Sequence, residues 1–107
     1  MRFAWSGEIR PDHPALAGHF PGNPVVPGAL LLNATLRAVE LGWGQSLRIV
    51  AAPAVKFSSI LRPGEKFDIH VETSGEDLIE FSITRGTILI AAGRLRYKKM
   101  SLNREQS

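Results

Sequence analysis

His19 is the side chain whose setting best suits chemistry. It begins the run His19-Phe-Pro-Gly-Asn-Pro-Val-Val-Pro-Gly28, in which three prolines and two glycines stiffen and shape the backbone. A neutral imidazole takes up a proton near pH 7. Pro27 and Gly28 then open an apolar stretch with helical spacing, and the first N–H groups of a helix have no partner within it. Such donors can hold a carbonyl oxygen as it gains negative charge. Glycine at position 28 lets an acyl group come close to the backbone. Histidine and helix start together suit removal of a proton next to an acyl carbonyl. Asn33 stands five residues into the helix. Its amide donates a hydrogen bond but is no acid in this pH range.

The surrounding elements have to hold these groups in place. Residues 3–9 predict a first strand with Phe3, Trp5 and Ile9 at apolar positions. Residues 10–27 carry too many prolines and glycines for a regular helix or central strand, so they predict a long loop. Its apolar members Leu16, Phe20, Val25 and Val26 predict that this loop is packed. Residues 28–41 predict a helix roughly 20 Å long, with Pro27 at its first turn and Gly42 as its stop. The first half is apolar almost all round, which predicts burial on most sides. Asn33, Arg37 and Glu40 follow i, i+4, i+7 and share one face. The Leu30–Leu32 run suits core packing or the lining of an acyl tunnel.

Residues 47–61 predict β structure, with Pro53 as a bulge or edge feature. Arg62-Pro-Gly-Glu65 predicts a turn. Phe67, Ile69 and Val71 alternate with Asp68, His70 and Glu72, the pattern of a half-buried strand. Ser74-Gly-Glu-Asp77 turns the chain again. Residues 78–84 and 87–97 predict a hairpin around Arg85-Gly86. The order is strand, long loop, helix, then about four antiparallel strands. That is an α+β class, an antiparallel sheet wrapped around one central helix in the hotdog arrangement.

A chain of 107 residues has room for one core. It is expected over residues 1–97, with 98–107 as a basic tail. So small a core gains from a second copy that covers more apolar surface. Cysteine is absent, which excludes a disulfide framework and a cysteine nucleophile and fits a reducing cytoplasm. The first residues lack an apolar signal core, and no apolar run is long enough to span a bilayer. No histidine has a partner at metal-ligand spacing, so neither a metal nor another cofactor is expected. His13, before Pro14, reads as a turn residue, and His70 as an exposed one. Net charge is +3, and Arg94, Arg96, Lys98, Lys99 and Arg104 crowd the end of the chain. They suit either an acidic partner or a solvated strand face with a frayed tail. Interleaved exposed aromatics are missing, so nucleic acid is not expected.

The run from His19 to Gly28, followed by an apolar helix, resembles the loop-helix signature of the 3-hydroxyacyl-acyl-carrier-protein dehydratases of fatty-acid synthesis. Val55-Lys-Phe57 and Arg62-Pro-Gly-Glu65 look like that family's strand and turn after the helix. Asp12-His-Pro-Ala-Leu-Ala-Gly18 is closer to a short subgroup found in aryl-polyene-type lipid pathways. The resemblance covers nearly the whole chain. It implies a hotdog fold and a homodimer with two sites at its interface, or a higher oligomer or hotdog heterodimer. It also implies removal of water from a 3-hydroxyacyl thioester carried by acyl carrier protein or coenzyme A. His19 corresponds to the family's catalytic histidine. Asn33 falls at the position of its catalytic carboxylate, which the partner's central helix contributes. Phe20, Gly22, Pro27, Gly28 and Ala29 are the expected substrate-binding residues.

Dehydration takes a proton from the carbon beside the carbonyl and gives one to the departing hydroxyl. Asn33 cannot give that second proton. Three outcomes follow. His19 returns its own proton to the hydroxyl, a different hotdog subunit supplies the carboxylate, or the chain binds or hydrolyses acyl thioesters without dehydrating them. Glu40 is a poor substitute, since it lies seven residues on and roughly 10 Å further along the helix. Asn33 also reads simply as a polar-face residue beside Arg37, and Gly22 and Gly28 as residues serving only backbone geometry.

Overall fold

The computed structural model describes residues 2–16, 25–75 and 77–100. The elements are β1 (Arg2–Glu8), a short 3-10 turn (Pro14–Leu16), α1 (Gly28–Trp43), β2 (Leu47–Phe57), β3 (Lys66–Ser74), β4 (Leu78–Arg85) and β5 (Ile88–Lys99). The strands form one antiparallel sheet in the order β1-β3-β4-β5-β2. The expected order of one strand, one helix and four antiparallel strands is therefore found, while residues 17–24 of the expected loop lie outside the described residues.

Alternation fixes which face of the sheet meets the helix. In β3, Phe67, Ile69 and Val71 are buried while Lys66, His70 and Glu72 are exposed. In β4, Ile79, Phe81 and Ile83 point inward. They pair across with Thr73, Val71 and Ile69, so the register sets Phe81 on Val71 and Ile83 on Ile69, apolar on apolar. α1 lays Leu31, Thr35, Ala38 and Val39 on this face, all buried and at helical spacing. The buried Thr35 hydroxyl donates to the Leu31 carbonyl at 2.9 Å, which satisfies it within the helix.

The helix differs from the expectation at its end and in its burial. It runs through Gly42 to Trp43, and Gly44 adopts the left-handed conformation (φ 65°) that ends it. The Trp43 ring packs edge-on against Tyr97 at 5.2 Å, which favours the extra half turn. Burial on most sides is not found. Ala29 is exposed, Leu30, Leu32 and Leu36 are half-buried, and Leu41 is 73% exposed. The sheet covers only one stripe of α1, and nothing described in this single chain covers the other.

β2 forms an edge of the sheet. Its register with β5 shifts between Ile49 and Ala51 and again between Ala51 and Ala54, so Pro53 lies in an irregular stretch as expected. Across from it, a Cβ at Gly93 would collide with the Ala54 carbonyl oxygen, so only glycine allows this close approach. β5 continues to Lys99, beyond the expected end at residue 97, because Lys99 pairs with Leu47.

Candidate functional site

The start of α1 combines open donors with a shaped apolar wall. Pro27 is the N-cap, with φ −63° and ψ 146°, and no side chain caps the helix. Its carbonyl accepts the Leu30 and Leu31 N–H groups at 3.1 and 3.3 Å. The Gly28 and Ala29 N–H groups precede any intrahelical partner, so they are the donors left over. Most helices use Ser, Thr, Asp or Asn here to occupy such groups; Pro27 cannot.

Phe57, at the end of β2, forms the wall. A Cβ built on Gly28 would lie 2.7 Å from its Cζ and 3.0 and 3.1 Å from its two Cε atoms. The ring thus lies against the Gly28 backbone, and glycine is what lets it do so. Phe57 is 47% exposed. The chain entering the helix is pinned by a bond from the Val26 N–H to the Leu61 carbonyl at 2.9 Å. Val26 and Leu61 are both buried.

Pro27, Gly28 and Ala29 therefore stand together at one helix end. Asn33 lies one turn below Ala29 on the exposed face of α1, with Arg37 a turn further on. That face points away from the sheet, and among the described residues nothing covers Asn33. Glu40 is occupied elsewhere: its Oε2 accepts the Leu47 N–H at 2.7 Å, joining α1 to β2. His19, Phe20 and Gly22 lie outside the described residues, as do residues 101–107 of the tail.

The remaining candidates sit apart from the helix start. His13 is in the turn before Leu16, with its N–H donating to the Arg10 carbonyl at 3.0 Å. His70 is exposed on the outer face of the sheet, in a groove with Arg2, Glu72 and Glu80. There the Arg2 guanidinium, 2.9 Å from Glu72, holds that carboxyl below the usual carboxylate range by hydrogen bonding and charge. Of the late basic residues, Arg94 and Arg96 face Glu80 and Asp77 at 3.7 and 3.3 Å. The open hollow bounded by Arg37, Glu40, Leu41 and Ser46 is at the opposite end of α1. Sequence reasoning did not assign Phe57 to the site. Its signal was the Val55-Lys-Phe57 match, which says nothing of packing on Gly28.

Comparison with known proteins decides the family. The ApeI-like family, described as ApeI dehydratase, matches residues 1–94. The chain belongs to the ApeI-like dehydratase family. The 3-hydroxyacyl-[acyl-carrier-protein] dehydratase FabZ of Lactiplantibacillus plantarum is 39% identical over 62 residues, 51% of this chain and 42% of that protein. FabZ of Anaeromyxobacter sp. (strain Fw109-5) is 31% identical over 80 residues, 64% of this chain and 50% of that protein. The chain thus spans about half the length of the curated relatives it matches. Among solved structures, the dehydratase heterocomplex ApeI:P from Xenorhabdus doucetiae has a TM-score of 0.80 at 18% identity, covering 90% of this chain and 86% of that one. A probable thioesterase from Bartonella henselae has a TM-score of 0.74 at 14% identity, covering 97% and 92%. These likenesses establish the hotdog fold for this ApeI-like chain, as the loop-helix signature implied. Among its described residues, no helix is long and apolar enough to cross a membrane.

Proposed function

We propose that this ApeI-like protein dehydrates 3-hydroxyacyl thioesters presented by acyl carrier protein in the cytoplasm, as a hotdog dimer with shared sites. The observation that carries this reading is the helix start: two N–H donors without a side-chain cap, beside a glycine whose backbone is walled by Phe57. The thioester carbonyl oxygen sits on the Gly28 and Ala29 N–H groups. His19 takes the proton from the adjacent carbon, charge collects on the oxygen, and the donors stabilise it. The 3-hydroxyl then leaves with a proton as water, and the enoyl thioester remains. His19 gives back the proton it took, and Asn33 of the second copy steadies the hydroxyl by hydrogen bonding.

The dimer reading has two supports in the single chain. The eleven-residue edge strand β2 exposes Val50 and Phe57, and such an edge invites pairing with another strand. The Ala29–Asn33 face of α1 is also open. Incubating purified protein with 3-hydroxyacyl-carrier substrate, and following enoyl formation, tests the activity. Sedimentation of the same sample tests the dimer. A monomer that forms enoyl product at full rate contradicts the shared site.

Asn33 supports a second reading, an acyl-thioester-binding subunit that works beside a different hotdog chain. Loss of a general acid costs on the order of 10²–10⁴ in rate. Under this reading the protein alone binds acyl carrier without turnover, and activity appears only when a carboxylate-bearing hotdog partner is added. Thioester hydrolysis, suggested by the thioesterase-like folds, predicts instead the release of free acid.

A further inference from the structure

Arg85 ends β4, on the side of the sheet where the β4–β5 hairpin turns. Its Nη1 donates to the Ile60 carbonyl at 2.7 Å and lies 3.3 Å from Glu65 Oε1. That same Glu65 oxygen accepts the Arg62 N–H at 2.7 Å. The guanidinium therefore grips both shoulders of the segment between β2 and β3. Leu61 lies between those shoulders, 1% exposed, and its carbonyl accepts the Val26 N–H. Val26 is followed directly by Pro27, the helix cap, and by the Gly28 and Ala29 donors.

The side chains of Arg85 and Glu65 are 31% and 34% exposed. An ion pair this open contributes little to stability by its charge alone. Its geometry is more telling. Backbone bonds hold the ends of this stretch, from the Ser58 and Ser59 N–H groups to the Ile90 carbonyl of β5 and from the Gly64 N–H to the Ile9 carbonyl; one side chain from β4 ties down its middle, at Ile60 and Glu65, next to the residue that holds Val26. We propose that Arg85 is a positioning residue: it fixes Leu61, and through Leu61 and Val26 it holds the Gly28 and Ala29 N–H groups where the acyl oxygen must sit. The kinetic consequence rests on the dehydration reading; the structural consequence does not.

The test uses the full chain in its native assembly with Arg85→Met, Arg85→Lys and Glu65→Gln. Amide hydrogen exchange is read at Val26, with Ile69 and Ile83 in the central strands as controls. Steady-state dehydration is read alongside. Arg85→Met is expected to speed Val26 exchange at least tenfold while the controls stay unchanged. It is also expected to lower kcat about tenfold, part of the roughly hundredfold that a 1 Å misplacement costs, with KM nearly constant. Arg85→Lys, which keeps the charge and a donor, recovers part of both losses, and Glu65→Gln gives the same pattern at smaller size. Unchanged Val26 protection in folded variants overturns the proposal, as does a loss carried by KM alone. If Arg85→Met does not fold, the other two variants decide on the same criteria. If wild type dehydrates no substrate, the dehydration reading fails, and Val26 exchange still decides the positioning role.

Discussion

A methyl group at position 28 separates a reaction surface from a mere helix start. In Gly28→Ala the new Cβ meets the Phe57 ring at 2.7 Å. Carbon atoms in contact rest at about 3.5–4.0 Å, so the ring must withdraw by about 1 Å. Phe57 is 47% exposed and has room to move. Exposing a few tens of Å² of ring and backbone costs roughly 0.5–1 kcal/mol. Against that, alanine gains up to about 1 kcal/mol over glycine in a helix, and less in the first turn. The two sides nearly cancel, so the melting temperature is expected to stay within a few degrees of wild type. Nothing offsets the effect on substrate. The methyl drives the Phe57 ring off the Gly28 backbone and so disturbs the wall beside the acyl group; complete loss of one oxyanion donor costs about 10²–10³ in kcat. Partial obstruction is expected to lower kcat/KM by roughly ten- to a hundredfold. Thermal unfolding and steady-state kinetics on one preparation make the comparison. A Gly28→Ala protein with wild-type stability and wild-type kcat/KM refutes the placement of the acyl carbonyl.

Three other substitutions probe separate links. Asn33→Asp supplies a carboxyl on an exposed helix face, so stability should hardly change; with His19 returning its own proton, dehydration stays within a few-fold of wild type, whereas a rise of about 10² or more shows that the wild type lacks a general acid. Glu40→Ala removes the acceptor of the Leu47 N–H. Leaving that group unsatisfied should cost about 1–3 kcal/mol, read as a lower urea midpoint, with Glu40→Gln milder. Tyr97 is held above its ordinary pKa of 10.0, mainly by burial and then by Asp77. Because its folded pKa is raised, the native state keeps its full stability below pH 10 and loses it as pH climbs through the folded value. Unfolding measured from pH 8 upward should show that decline in wild type and a shallower one in Tyr97→Phe.

Local patterns in the sequence were enough to read the elements. The alternation in β3 placed Phe67, Ile69 and Val71 inside, and Arg85-Gly86 marked the hairpin, because each signal lies within a few residues. The end of α1 was harder, since a contact with Tyr97, far along the chain, holds Trp43 in the helix past Gly42. The burial of α1 falls short of the expectation for a related reason. An apolar stripe shows that something covers it, but not whether the cover lies in the same chain. At the site, helix-start donors followed from Pro27-Gly28 alone. Phe57 and Arg85 did not, because their partners lie 29 and 25 residues away, at Gly28 and Ile60, and only the fold brings them together. Glu40 shows the converse: its spacing marked it as a poor acid, and its bond to Leu47 supplies the role that spacing could not.

Acyl-thioester dehydration between His19 and the start of α1 is the step on which the proposed function rests. Enoyl formation from a 3-hydroxyacyl-carrier substrate, compared between wild type and His19→Ala, tests it most directly. Carrier binding by both proteins serves as the control. Wild type is expected to turn over, His19→Ala to lose at least about 10² in rate, and both to retain binding. Equal turnover by the two proteins, or binding without turnover by wild type, would contradict it.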